Sequence, residues 1–227
     1  MSFLDKYNNG QTLLVDKDLD WTSFDVVKKI RSITKEKKVG HGGTLDPFAE
    51  GVLIIATGRD TKTLSDYIHD KKQYEASLSL GILTDTHDRE GRVIKKMKVP
   101  SLSEDRIKKV LNSFIGEKYQ IPPMYSAKKV NGKRLYDLAR KNITIERKPN
   151  KIEIFSINLI NFGDDMVSFS VSCSKGTYIR VLGKEIAEKL GTVGHINTLI
   201  RTNVGIHNIA DSETIENFHN SWKLSKI

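Results

Sequence analysis

The run VGHGGTLDP, Val39 to Pro47, sets an aspartate on a proline-fixed turn directly after a glycine-rich stretch. Glycines at 40, 42 and 43 let the backbone approach a ligand closely or adopt positive φ. Pro47 pushes Asp46 out of the helical region and fixes the exit of the chain. A carboxylate held this way can act as a nucleophile or a general base. It can equally cap a turn, and the Asp-Pro spacing alone favours the cap. The glycines do not form a phosphate-binding loop, because no Gly-Lys-Ser/Thr follows them.

A second candidate is SKGTYIRVLGKEIAEKL. Gly176 falls at a strand-to-helix junction and puts Tyr178 and Arg180 at or near the helix start. Arg180 can there pair in two-pronged fashion with a carboxylate or phosphate. A surface arginine beside a core tyrosine fits the spacing equally well. The run Thr84 to Asp88 offers metal-ligand types in Asp85, His87 and Asp88. With no matching partners elsewhere, it reads as a solvated turn ending at Gly91.

The charge balance points to a polyanion. Lys and Arg number 37 against 28 Asp and Glu, a formal net charge of +9. The basic segment Lys118 to Asn150 has nine Lys or Arg residues and three tyrosines. Within it Tyr125 and Tyr136 interleave with Lys128, Lys129, Lys133, Arg134 and Arg140. Basic residues among aromatics suit looped or single-stranded RNA, although a solvated basic helix is the plainer reading of this segment. Tyr74 lies on the apolar face of an alternating strand, so packing is its default role. It becomes a base-stacking platform only beside a basic cleft.

The elements that must position these residues follow from periodicity. Gln11 to Val15 reads as a strand, and Thr22 or Ser23 caps a helix with Phe24, Val27, Ile30 and Ile33 on one stripe. Gly51 to Gly58 reads as a buried strand and Thr61 to His69 as a short helix. Tyr74, Ala76, Leu78 and Leu80 alternate as a half-buried strand, which Arg92 to Val99 continues. A helix spans about Ser103 to Phe114, and a short one lies around Leu135 to Lys141 inside the basic insertion. Val167 to Cys173 is a further strand. The mixture, in no regular βαβ order, predicts an α+β fold with a mostly antiparallel mixed sheet and flanking helices. Cys173 stands alone, which excludes a disulfide framework and a cysteine-based zinc site. No signal peptide opens the chain, and the apolar runs are too short to span a bilayer. A cytoplasmic protein without a membrane role is the expectation.

Taken in order, these segments resemble the bacterial tRNA pseudouridine-55 synthase family, often called TruB. LLVDKDLDWTSFDVV is similar to the family's first motif, where the lysine matching Lys17 is followed by Pro-x-Gly rather than Asp18-Leu19-Asp20. VGHGGTLDPFAEGVL is similar to the second, a Gly-His-x-Gly-x-Leu-Asp-Pro signature. KQYEASLSLGILTDTHDREG, QIPPMYSAKKVNGKRLYDLAR and CSKGTYIRVLGKEIAEKLG are similar to later motifs.

The resemblance implies a pseudouridine synthase fold in a single catalytic domain over residues 1–227, with an RNA-binding insertion near 118–150. The chain departs from the family in one respect: only 26 residues follow Arg201, too few for a further domain of about 50 residues or more, so the C-terminal PUA domain common in the family is expected to be absent. The resemblance assigns Asp46 as catalytic aspartate, Tyr74 as the ring stacking on the flipped uracil, and Arg180 as the ion-pair partner of Asp46. Tyr178 flanks the reacting base, while His41 and Leu199 match positions contacting the RNA or its target base. Lys128, Lys129, Lys133 and Arg134 are the expected RNA grip, and Lys17 has a structural place. The implied activity is isomerisation of uridine to pseudouridine at position 55 in the T stem-loop of tRNA, by a monomer, with no metal or other cofactor. A non-catalytic RNA-binding or tRNA-folding module is the rival reading, and a metal-dependent nuclease built on Asp85, His87 and Asp88 is a distant third.

Overall fold

Thr22 starts the first helix through a reciprocal capping box: its hydroxyl accepts from the Asp25 amide, and the Asp25 carboxylate accepts from the Thr22 amide. A computed structural model describes residues 10–224 of the chain. They form two compact units, residues 10–73 with 200–224, and residues 74–199.

In the first unit, strands β1 (Thr12–Lys17), β2 (Val39–His41) and β3 (Glu50–Thr57) surround helix α1 (Ser23–Thr34) in the chain. Strand β3 pairs antiparallel with both β1 and β2. Every residue of β3 after Glu50 is buried, so its sequence GVLIIAT is apolar throughout instead of alternating. Val52, Ile54 and Ala56 pack with Leu64 and Val204 as one cluster. Helix α1 buries Val26, Val27, Ile30 and Ile33. Phe24, expected on that stripe, is 53% exposed, and Val26 takes its place. The predicted helix over Thr61 to His69 is a 3-10 turn, Gly58–Lys62, followed by α2 (Leu64–His69).

The second unit takes most of β4 (Lys72–Leu80), then β5 (Ile82–Thr84), β6 (Val93–Lys96), α3 (Glu104–Asn112) and β7 (Gly116–Gln120). The basic insertion holds the hairpin β8 (Lys129–Val130) and β9 (Lys133–Arg134), then α4 (Leu135–Ala139). Strands β10 (Asn150–Phe162) and β11 (Met166–Cys173) lead to α5 (Ile179–Lys189). The sheet order here is β4–β11–β10–β7, with β10 antiparallel to both neighbours. Arg92 to Val99 does not extend this sheet: β6 pairs with β5 alone in a separate ribbon, and all four of its residues are exposed. On β4 the alternation is as expected, with Ala76, Leu78 and Leu80 buried.

Strand β12 (Gly194–Val204) leaves the second unit after Leu199. Its later residues pair in parallel with β3 at Ile200–Glu50 and Arg201–Gly51. Strands β13 (His207–Asn208) and β14 (Glu213–Thr214) and helix α6 (Ile215–Leu224) complete the first unit, with β14 parallel to β1. No helix is long and apolar enough to cross a membrane.

Ile54 is wholly buried at the centre of β3. Truncating it to alanine removes its packing in the cluster with Val52, Ala56, Leu64 and Val204 and should cost about 2–5 kcal/mol in urea unfolding. A loss below about 1 kcal/mol would mean that β3 is not the packing centre of its unit.

Candidate active site

The segment Gly43 to Pro47 is held carbonyl by carbonyl. Arg201, from β12, donates through Nη2 to Gly43 O at 3.2 Å and through Nη1 to Thr44 O at 3.4 Å. Its Nε donates to Val52 O on β3 at 2.7 Å. Ser23 Oγ, at the start of α1, accepts from the Leu45 amide at 2.9 Å and donates to Leu45 O at 3.2 Å. Asp46 O accepts from the Ala49 amide at 3.1 Å, and Pro47 O accepts from the Asp20 amide at 2.9 Å. Lys17 Nζ donates to Pro47 O at 3.2 Å, and also to Asp18 O and Trp21 O at 2.8 and 2.6 Å.

Lys17 and Arg201 are both buried. Burial draws the Lys17 pKa down to about 8, against the pull of Glu50, Asp18, Asp20 and Asp46. Asp20 stands where the resembling motif has glycine, and it takes φ = +62°, a left-handed conformation that aspartate tolerates. The turn geometry therefore survives the replaced Pro-x-Gly. His41 closes β2 with its pKa lowered by burial and by the nearby Arg201 charge.

In the second unit Arg180 is the hub. It is the second residue of α5 and is 3% exposed. Nη1 lies 3.4 Å from the Asp88 carboxylate and donates to Thr86 O at 2.9 Å, while Nη2 donates to Tyr125 O at 2.7 Å. Asp88 is itself 3% exposed, accepting from Thr86 Oγ1 at 2.5 Å and from the Glu90 amide at 3.0 Å. The solvated turn expected over Thr84 to Gly91 is thus corrected at Asp88. Asp85 pairs with Arg92 across the same loop. Among the described residues no cluster of three His, Cys, Asp or Glu side chains could hold a metal ion. Reading along the chain missed Asp88 because nothing local announces a partner 92 residues away.

Gln120 was missed for the same reason. Its buried side-chain amide grips the Tyr178 backbone in both directions, Nε2 to Tyr178 O at 3.1 Å and Tyr178 N to Oε1 at 2.8 Å. Tyr178 and Tyr74 are both half-buried, and Leu199 is buried. Lys129, Lys133 and Arg134 project from the exposed β8–β9 hairpin rather than a helix. Asn131 and Gly132 both have positive φ at its tip, the turn their pairing predicts. Lys128 donates to Asn150 Oδ1 at 2.6 Å, tying the two ends of the insertion. Arg134 and Arg140 both lie over the Tyr136 ring.

The family described as TruB family pseudouridylate synthase (N terminal domain) matches residues 31–179. The chain belongs to this family. Among curated TruB relatives, the tRNA pseudouridine synthase B of Clostridium kluyveri is 52% identical over 204 residues, covering 90% of this chain and 70% of that one. That of Endomicrobium trichonymphae is 39% identical, covering 97% of this chain and 96% of its own. A solved Cbf5-Nop10-Gar1 complex contains a chain similar to this one, with 26% identity and a TM-score of 0.76. The match covers 99% of this chain and 59% of that one. The pseudouridine synthase fold and the α+β reading are therefore correct.

His87 supplies a pH test of the Arg180 loop. It has φ = +62°, its Nδ1 is buried with no hydrogen-bond partner, and its pKa falls from 6.5 to about 4. Burial is the main cause, followed by the charges of Lys184 and Arg180. The unfolded chain takes up this proton first, so the stability contributed by neutral His87 is full above pH 6.5 and drains away toward pH 4. His87→Asn, which suits the left-handed backbone, should flatten the decline of Tm across that window. Equal slopes in the two proteins would place the acid sensitivity elsewhere.

Proposed function

We propose that this protein isomerises uridine to pseudouridine at position 55 in the T stem-loop of tRNA, as a cytoplasmic monomer. The observation that carries the reading is Asp46 on a segment whose carbonyls from Gly43 to Pro47 are all bound, inside the family's Leu-Asp-Pro signature. Rigid presentation of a carboxylate is what a nucleophile requires.

The isomerisation breaks the bond between uracil N1 and ribose C1′ and forms one from C5 to C1′. C5 gives up a proton and N1 gains one, so atoms balance with no oxidant. Asp46 attacks either the uracil ring or C1′. In this reading Tyr74 stacks on the extruded base, recovering part of the few kcal/mol lost in unstacking. Tyr178, Leu199 and His41 contact the base or its neighbours. Arg180 is the proposed ion-pair partner of the catalytic carboxylate.

Asp46→Asn should reduce pseudouridine formation in an unmodified tRNA transcript to background while tRNA affinity stays within about three-fold, since phosphate contacts dominate ground-state binding. Position-by-position mapping of the product also tests the site. Turnover by the Asn variant would remove Asp46 from its role, and product at another uridine would reject position 55. Binding without turnover by the wild-type protein would favour the RNA-folding alternative.

The exposed cations of the insertion are the proposed grip on phosphate. Replacing Lys129, Lys133 and Arg134 with alanine should weaken tRNA binding and reduce the log-log salt slope by up to about 0.9 per lost contact. Lys128 is left in place because it closes the base of the insertion. An unchanged slope and affinity would move the grip elsewhere.

A further inference from the structure

Arg201 is the largest of the fully buried side chains among the described residues. Burying a guanidinium is costly unless its donors are satisfied. Here its three hydrogen bonds end on the carbonyls of Val52, Thr44 and Gly43. The first anchors it to β3, and the other two reach the segment that leads directly into Asp46.

Both ends of this strut are located by glycine. At Gly51, φ is +101° and a Cβ would lie 2.3 Å from the Arg201 carbonyl oxygen, so only glycine admits the strand contact that sets the Arg201 backbone. At Gly43, φ is +128°, a conformation denied to other residues, and this turns the Gly43 carbonyl toward the guanidinium. Because its partners are carbonyl dipoles, Arg201 brings an intact positive charge, and that charge is felt at His41, whose pKa it lowers.

We propose that Arg201 is a positioning residue for the reaction: it fixes the carbonyls of Gly43 and Thr44 to β3 and thereby aims Asp46. The inference rests on the reading of Asp46 as nucleophile. Arg201 itself touches no reacting atom in this scheme. Its contribution lies in the chemical step and not in RNA binding, because a displacement of about 1 Å in a reacting group costs roughly 100-fold in rate.

The test uses the full chain with an unmodified tRNA transcript, comparing Arg201→Met, Arg201→Lys, Gly43→Ala and Asp46→Asn under single-turnover conditions. Arg201→Met should lose about 100-fold in rate with tRNA affinity within about three-fold. Arg201→Lys should recover less than about ten-fold of that loss, since an ammonium donates from a single point, whereas Arg201 reaches Val52, Thr44 and Gly43 through three separate nitrogens of a planar fork. Burial and the Arg201 charge both hold the His41 pKa down, so its value, followed by NMR, should rise more in the Met variant than in the Lys variant, since both lose the guanidinium's packing and only the first loses the charge. Gly43→Ala moves the carbonyl while keeping the Arg201 charge, and should also slow turnover; it carries the test if Arg201→Met does not fold. Wild-type rates in folded Arg201→Met or in Gly43→Ala, or a loss confined to tRNA affinity, would overturn the inference while an inactive Asp46→Asn left the nucleophile intact. An active Asp46→Asn would remove both.

Discussion

The carbonyls of Gly43 to Pro47 are the constraint on which the rest of the first unit depends. A loop that carries a reactive carboxylate cannot use the regular ladder of a strand or helix to satisfy its backbone, yet buried backbone groups must be paired. This chain solves the problem with two buried cations from β1 and β12, the Ser23 hydroxyl of α1, the Asp20 amide from the turn after β1 and the Ala49 amide of the turn itself. Both cations stand on strands that pair with β3, β1 antiparallel and β12 in parallel. The central apolar strand therefore sets the aspartate's position as well as the core's. Two cations are an expensive choice, since desolvation opposes each. They suit a segment that must stay rigid while lying against a polyanion whose own charge would otherwise compete for mobile donors.

Arg180 carries a comparable load in the second unit. Its guanidinium collects the Asp88 carboxylate, the Thr86 carbonyl and the Tyr125 carbonyl, which belong to the loop after β5 and to the start of the insertion. Planar and five-donor, arginine serves all three through two separate nitrogens, Nη1 toward Asp88 and Thr86 and Nη2 toward Tyr125. The segment proposed to grip RNA is thus joined by one side chain to the loop around Asp88. Gln120 adds a second tie, from β7 to the backbone of Tyr178, two residues before Arg180. Displacement of the insertion would be felt at Arg180 and Tyr178 first, which gives a physical route from RNA engagement to site geometry.

Much of this was legible in the linear sequence where the signal is local. Thr22 with Asp25, the apolar run of β3, the alternation of β4 and the Asn131-Gly132 turn each declare their conformation within a few residues. Partners far apart in the chain were not legible. Asp88 reads as a solvated turn residue until Arg180 is folded onto it, and Arg201 reads as one more cation in a basic chain until its three carbonyls are seen. Strand β6 failed for a different reason: its alternation is genuine, but an exposed two-stranded ribbon shows the same period as a sheet strand. Phe24 failed because it stands two residues, about 200° of helical phase, from Val26, and the buried stripe takes Val26 with Val27, Ile30 and Ile33 and leaves Phe24 outside it.

The replaced Pro-x-Gly after Lys17 shows which part of a motif is a means and which an end. What Lys17 requires is that the chain double back so that the carbonyls of Asp18, Trp21 and Pro47 converge on one ammonium. A glycine lowers the cost of the left-handed residue that makes the reversal, and a proline pre-sets the turn's entry. Neither touches the ammonium. Asp20 makes a reversal at φ = +62°, and its amide donates to Pro47 O. The Lys17 ammonium and the Asp20 amide then meet on one carbonyl oxygen, directly after Asp46. The part of the motif that cannot be exchanged is therefore the buried cation, because only a multi-donor group on β1 can draw three carbonyls from two segments to a single point.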